Sequence, residues 1–320
     1  MNTQNNLTAG NTDEMEKDIF ADSTEELENN GESVIEDANN FTLPSGDALD
    51  EEELYLLTAK KNTRIIYVLG PVGSGKTTFE SMIYECFLKN IDEELLFAGS
   101  ETLIGFEQRL NNLRVVSGNS TAKMERTNIQ ERHCFLQLYL KDKQENYSVV
   151  FSDISGEIFD RCVANKTNME EDLKNLDLAQ NIVLFIDGEA LLDKARRHGA
   201  VSQLRTFLQT LRSSDLYSHG CNIDIVISKN DVIYEKNKEI SDSFIDDIHD
   251  KFSDLKDDYI FRFYRIEALN GNSISDSTST SLLQLLKIWL NMDSMKDKRN
   301  MSEPKIRELQ NEFNRYGEKG

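Results

Sequence analysis

Apolar positions along the chain follow two periods. Short runs rich in β-branched and aromatic residues occupy 64–69, 133–140, 147–152, 181–186, 223–227 and 260–266. Runs of 4–8 such residues read as strands, and an unbroken apolar run reads as a strand buried on both faces. Between them, apolar residues recur at helical spacing over 77–89, around 158–178, and over 199–213, 241–255 and 280–291. After Lys76 they fall at Phe79, Met82, Ile83, Cys86 and Phe87, one face of a helix. The stretch 91–130 mixes polar and apolar residues without a clear period and is read as one long insert. The pair 133–140 and 147–152 is joined by the polar turn KDKQEN, which predicts an antiparallel hairpin. The other strands alternate with helices. That order predicts an α/β fold of three layers, a mostly parallel sheet with one antiparallel edge hairpin and helices on both faces. Ligands of such sheets bind at the carboxyl ends of the strands.

The first strand leads into VLGPVGSGKTTF, residues 68–79. Gly70 through Thr77 meets the pattern GxxxxGK[ST], between a buried strand and an amphipathic helix, as a phosphate-binding P-loop requires. Gly70, Gly73, Ser74 and Gly75 turn backbone N–H groups inward around phosphates. The helix start, with Thr78, adds its partial positive charge. Lys76 is placed to reach the β- and γ-phosphates, and Thr77 to offer its hydroxyl to Mg²⁺.

A second strand must bring an acid to the metal. The strand 147–152 ends in Asp153-Ile-Ser-Gly156-Glu157, of the form DxxG. Asp153 is the expected metal carboxylate, and the Gly156 N–H is expected to meet the γ-phosphate. Release of that phosphate frees the following segment, which turns nucleotide state into shape. Glu157 is the candidate to hold the attacking water. Asp187, which ends the strand 181–186, reads as a structural strand-end residue.

The third strand end discriminates the base. The run 221–227 ends in Ser228-Lys229-Asn230-Asp231, which fits [NTS]KxD. Guanine presents N1–H and N2–H₂ side by side, and one carboxylate accepts both. At about 1.5–3 kcal/mol for each bond to a charged group, the pair is worth roughly 3–6 kcal/mol against adenine. Lys229 lays its stem over the base. The strand 260–266 ends in Glu267-Ala268-Leu269, where the Ala268 N–H is the candidate for the guanine carbonyl.

Charge adds one feature. The 320 residues carry a formal charge of −21, and −14 of it lies in residues 1–60, with sixteen acids against two lysines. That segment buries too little to offset its ordering entropy and reads as a mostly disordered acidic arm. The expected organisation is an arm over 1–60, a nucleotide-binding domain over 61–292 and a helical tail over 293–320. The acidic surface argues against nucleic-acid binding. No run has the roughly 18 apolar residues of a membrane span, and the polar N-terminus does not read as a secretory signal. Cys86, Cys134, Cys162 and Cys221 form no CxxC pair, as expected of buried thiols in a reducing, cytoplasmic setting. His198, in ARRHG, reads as an exposed residue at a helix start.

Motif order over roughly 61–292 resembles the Ras-like P-loop GTPases. The stretch FAGSETLIGFEQR, 97–109, is similar to a GSxTxxGFExR segment of the double-GTPase group found among bacterial conflict-system genes. The resemblance implies a GTP/GDP switch using Mg²⁺. It also implies that a Thr after the first helix ligates the metal when GTP is bound, here Thr102 with Ser100 as rival. Glu157 stands where such GTPases commonly place Gln, and Leu269 where they place Lys. An arginine finger in cis has three candidates, Arg109, Arg114 and Arg161. The switch is expected to signal to a protein effector or regulator through 91–130, 157–178 and the acidic arm. Two other classes fit the same motifs: an ATP-dependent signalling ATPase with Glu157 as base, and a nucleotide-bound scaffold without turnover. The oligomeric state stays open.

Overall fold

A computed structural model describes residues 44–116, 133–143, 145–217, 221–236, 247–267 and 276–290. Residues 1–43 of the expected arm, the whole of the tail 293–320, residues 117–130 of the insert and Ala268 lie outside the described residues.

The elements, in chain order, are α1 (Glu51–Lys60), β1 (Thr63–Leu69), α2 (Lys76–Leu88), β2 (Leu96–Gly99), α3 (Leu103–Val116), β3 (Cys134–Lys141) and β4 (Asn146–Asp153). Then come α4 (Gly156–Cys162), α5 (Lys166–Asp172), a 3₁₀ turn (Lys174–Leu178), β5 (Asn181–Asp187), α6 (Gly188–Leu192) and α7 (Lys194–Ser213). The chain continues through β6 (Asn222–Ser228), α8 (Asn230–Lys236), β7 (Phe261–Arg265) and α9 (Asp276–Leu290). Among the described residues, seven strands form one sheet in the order β2-β3-β4-β1-β5-β6-β7. The strands from β4 to β7 are parallel, and β3–β4 is the expected antiparallel hairpin.

The central strands are buried on both faces, as their continuous apolar runs require. In β1 the alternation of side chains sends Ile65, Tyr67 and Leu69 into one apolar cluster and Ile66 and Val68 into the other. The first cluster holds α1, α4, α5 and α7. The second holds α2, α3 and α9, with Phe79 edge-on to Trp289 at 5.7 Å between ring centres. The five apolar residues that predicted α2 are all buried there.

Four expectations change. Residues 51–60, read as the end of the arm, form α1. Asp50 accepts from the Glu53 N–H while the Glu53 carboxylate accepts from the Asp50 N–H, and Leu54 and Leu57 are buried in the fold's own core. The insert contributes β2, which pairs antiparallel outside β3, and then α3. The helix expected over 158–178 is broken into α4, α5 and the 3₁₀ turn, because Asn165 caps a new helix by accepting from the Asn168 N–H. The helix expected over 199–213 starts earlier, at Lys194, capped by Asp193.

One buried charge ties three elements together. Asp224, in the middle of β6, is fully buried. It accepts two bonds at 2.7 Å from Arg262 on β7 and one at 2.7 Å from the indole N–H of Trp289 on α9. Burial pushes its carboxyl above the ordinary value, and Arg262 opposes the shift.

Candidate active site

The site is built at the carboxyl ends of β1, β4 and β6, beside the point where the chain turns from one side of β1 to the other. The P-loop leaves β1 at Gly70 and enters α2 at Lys76. Gly75 caps α2 in the left-handed region, at φ 94°, with no side-chain cap. A residue with a Cβ is strained there, and the first N–H groups of α2 have no capping oxygen from Gly75. Gly70 and Gly73 also have positive φ. Lys76 is nearly buried, and its Nζ donates to the carbonyls of Gly70 at 2.7 Å and Pro71 at 3.1 Å. The ammonium therefore lies across the loop. Burial lowers its pKa, with Asp153 the largest opposing charge.

Gly156 packs on this loop. A Cβ at that position would lie 2.2 Å from the Val72 backbone N. The DxxG turn thus lies directly against the phosphate cradle, and only glycine permits the approach. Thr77 Oγ1 stands 3.3 Å from Asp153 Oδ1, so a hydroxyl and a carboxylate oxygen face one another as a hard-cation site requires. Glu157 is exposed in the first turn of α4.

On the other flank, Ser228 is buried against the P-loop, 3.5 Å from where a Gly75 Cβ would stand. Lys229 adopts φ 51°, one of two non-glycine residues with positive φ among the described residues. Such a conformation costs about 1–3 kcal/mol and persists where surrounding structure imposes it. Its ammonium meets Asp187 at 3.0 Å and Glu189 at 3.7 Å, which holds its stem in place. Asp187 also caps α6, as a strand-end structural residue should. Asp231 Oδ1 is buried with no hydrogen-bond partner among the described residues. A buried carboxylate oxygen left without donors among the described residues fits a ligand that brings its own.

Not every expected residue joins this group. Thr102 is fully buried, and its hydroxyl accepts from the Gln137 N–H at 2.8 Å. Ser100, its rival, donates to the Gln137 carbonyl at 2.6 Å. Gln137 lies three residues along β3 from Cys134, the register partner of Asp153, or about 10 Å at roughly 3.4 Å per residue. The two hydroxyls anchor the insert to β3 and are not brought to Thr77 and Asp153. Among the finger candidates, Arg161 pairs with Asp172 at 2.8 Å. The Arg114 side chain lies outside the described residues.

Two further residues stand at the centre: Arg109, expected only as a finger candidate, and Glu80, which motif reading passed over. Arg109, reached from α3, donates from Nε to Asp153 Oδ2 at 2.6 Å and is 2% exposed. Glu80, one turn after Lys76, is fully buried, and neither of its oxygens has a hydrogen-bond partner among the described residues. Burial, then the charge of Asp153, raises its pKa well above the ordinary 4.5. A raised folded-state pKa means that folding takes up a proton above the unfolded value, so wild-type stability erodes as pH rises from there. Glu80→Gln should therefore gain thermal stability relative to wild type as pH is raised across the range above the ordinary 4.5. Parallel unfolding midpoints across that range would contradict the assignment.

Strand, glycine loop, helix and the carboxylate that faces Thr77 define a P-loop nucleotide-binding protein of the small-GTPase plan. More narrowly, the chain belongs to the Double-GTPase 2 family, whose family model matches residues 64–289. It is a P-loop GTPase-family protein, and membership implies a guanine nucleotide. Among solved structures it is similar to a chain of the signal recognition particle receptor SRb-GTP/SRX complex from Chaetomium thermophilum. That likeness has a TM-score of 0.39 at 13% identity and covers 66% of this chain and 93% of the other. No curated protein matches the chain. Among the described residues, no helix is long and apolar enough to cross a membrane.

Proposed function

We propose that the protein is a Mg²⁺-dependent GTP switch that hydrolyses GTP slowly to GDP and phosphate. The observation that carries this reading is Asp231 Oδ1, buried and without a hydrogen-bond partner among the described residues, three residues after the Ser228 that packs against the P-loop. Lys76 and the loop N–H groups bind the β- and γ-phosphates. Thr77 and Asp153 hold the metal, which when bound neutralises charge on the phosphates. The Gly156 N–H takes the γ-phosphate, and Glu157 positions water from the exposed start of α4. An ionised Glu157 accepts hydrogen bonds but cannot donate one to the γ-phosphate, so turnover is slow without an activator.

State is read out through the segment after Gly156, whose contact with Val72 links it to the phosphate loop. The broken course of α4 and α5 gives that segment a joint at 163–165. A protein partner reads the change, in a bacterial conflict or defence setting as the sequence resemblance implies.

The test is competition for a labelled GTP analogue with phosphate release measured alongside. GTP is expected to displace the analogue at least a hundredfold better than ATP, from two charge-assisted bonds worth roughly 3–6 kcal/mol. Release should be slow in wild type and changed in Glu157→Gln. Equal displacement by ATP would overturn the guanine reading. No release from either form, with or without cell extract, would leave a nucleotide-bound scaffold.

A further inference from the structure

We infer that Arg109 is a positioning residue for the metal-binding carboxylate: it ties down one oxygen of Asp153 so that the other is presented to Thr77. The inference rests on the proposed metal role of Thr77 and Asp153 and adds a third participant to it.

Arg109 spends its guanidinium on three anchors. Nε donates to Asp153 Oδ2 at 2.6 Å, Nη1 to the Gly105 carbonyl at 2.9 Å and Nη2 to Cys134 Sγ at 3.2 Å. The anchors lie on β4, on α3 itself and on β3, and Cys134 is the register partner of Asp153. Turning the guanidinium away from Asp153 would break contacts in two other elements, so this is a fixed strut. Asp153 then has one oxygen committed, and Oδ1 is the atom 3.3 Å from Thr77 Oγ1. A carboxylate held by one oxygen has lost the freedom to swing between rotamers, and its other oxygen is aimed at Thr77 before any cation arrives. Partners of this kind behind metal ligands typically change metal affinity 10–100-fold.

The same bonds dispose of another role. A finger must bring an unspent guanidinium to charge developing on the γ-phosphate. Arg109 is buried with donors on three different partners, and it reaches the site only through Asp153.

Placement supports the assignment. Phe106, Arg109, Leu110 and Leu113 share the buried face of α3, and Tyr84 on α2 donates to Glu107 at 2.8 Å. Tyr84 also stacks on Phe106 at 4.9 Å between ring centres. The strut is thus held rigid from behind by the helix that carries the P-loop lysine.

The experiment measures binding of a fluorescent, non-hydrolysable GTP analogue to the full chain while Mg²⁺ is varied, with EDTA as the metal-free control. Arg109→Met should raise half-saturating Mg²⁺ about tenfold or more and leave affinity in EDTA within about twofold of wild type. Arg109→Lys keeps the charge but cannot reach three acceptors at once, and should give a smaller rise of the same sign. An unchanged or lower Mg²⁺ requirement in Arg109→Met would overturn the inference, as would an equal loss in EDTA. If the Met variant does not fold, Arg109→Lys decides by the same criterion. Wild type that binds the analogue equally well in Mg²⁺ and EDTA would instead overturn the metal site itself.

Discussion

Asp231→Asn is expected to lose at least a hundredfold in affinity for GTP and to gain affinity for xanthosine triphosphate. Guanine offers two adjacent donors, and an ionised carboxylate accepts both. Asparagine offers one acceptor and one donor, so it meets one guanine proton and opposes the other. Xanthine carries a carbonyl where guanine has its amino group, which restores one donor and one acceptor facing asparagine. Two charge-assisted bonds at about 1.5–3 kcal/mol each set the scale of the loss, roughly a hundredfold to ten-thousandfold. The structure gives the argument its local force, since Asp231 Oδ1 is buried and has no partner of its own among the described residues. Titrating both nucleotides against both proteins checks it. A variant that shows no relative gain for xanthosine triphosphate would remove the basis for guanine recognition.

Asp224→Ala should be the most destabilising single change away from the site. It removes the fully buried carboxylate that accepts from Arg262 and from the Trp289 indole. Breaking a buried pair in this way costs about 3–5 kcal/mol. At roughly 2–4 °C per kcal/mol for a domain of this size, the midpoint falls by about 6–20 °C. Replacing the pair together, Asp224→Leu with Arg262→Met, should recover most of the loss, because apolar residues of similar volume often match a buried ion pair. Calorimetry on the two variants distinguishes a broken pair from a merely intolerant position.

The parts of the fold that sequence revealed were those where one local pattern sufficed. β1 and α2 combine an unbroken apolar run, a glycine spacing and a clean helical stripe, and the SKND stretch closes an equally plain strand. What stayed hidden was set by tertiary partners. In α1 three consecutive acids, Glu51 to Glu53, mask a helix whose burial rests on Leu54 and Leu57. β2 has four residues with Leu96 half exposed, too short for a period of two to emerge. The capping by Asn165 competes with an apolar periodicity that reads as continuous across it. Arg109 and Thr102 belong to the same quoted segment. Nothing in that segment says that the arginine turns to Asp153 while the threonine turns to Gln137. Arg109 does lie three residues after Phe106 and one before Leu110, and a lone cation on a buried helical face is the signal that could have found it.

The short, bulged β2 has one more consequence. A sheet rim with unpaired amides is a template for another chain, and proteins guard against that with brief or irregular outer strands and inward-turned charges. β2 shifts register between Phe97 and Gly99, and at the opposite rim Arg262 of β7 turns in to Asp224. Among the described residues neither margin offers a long flat ladder, so crowding the protein should not by itself seed strand-on-strand polymers.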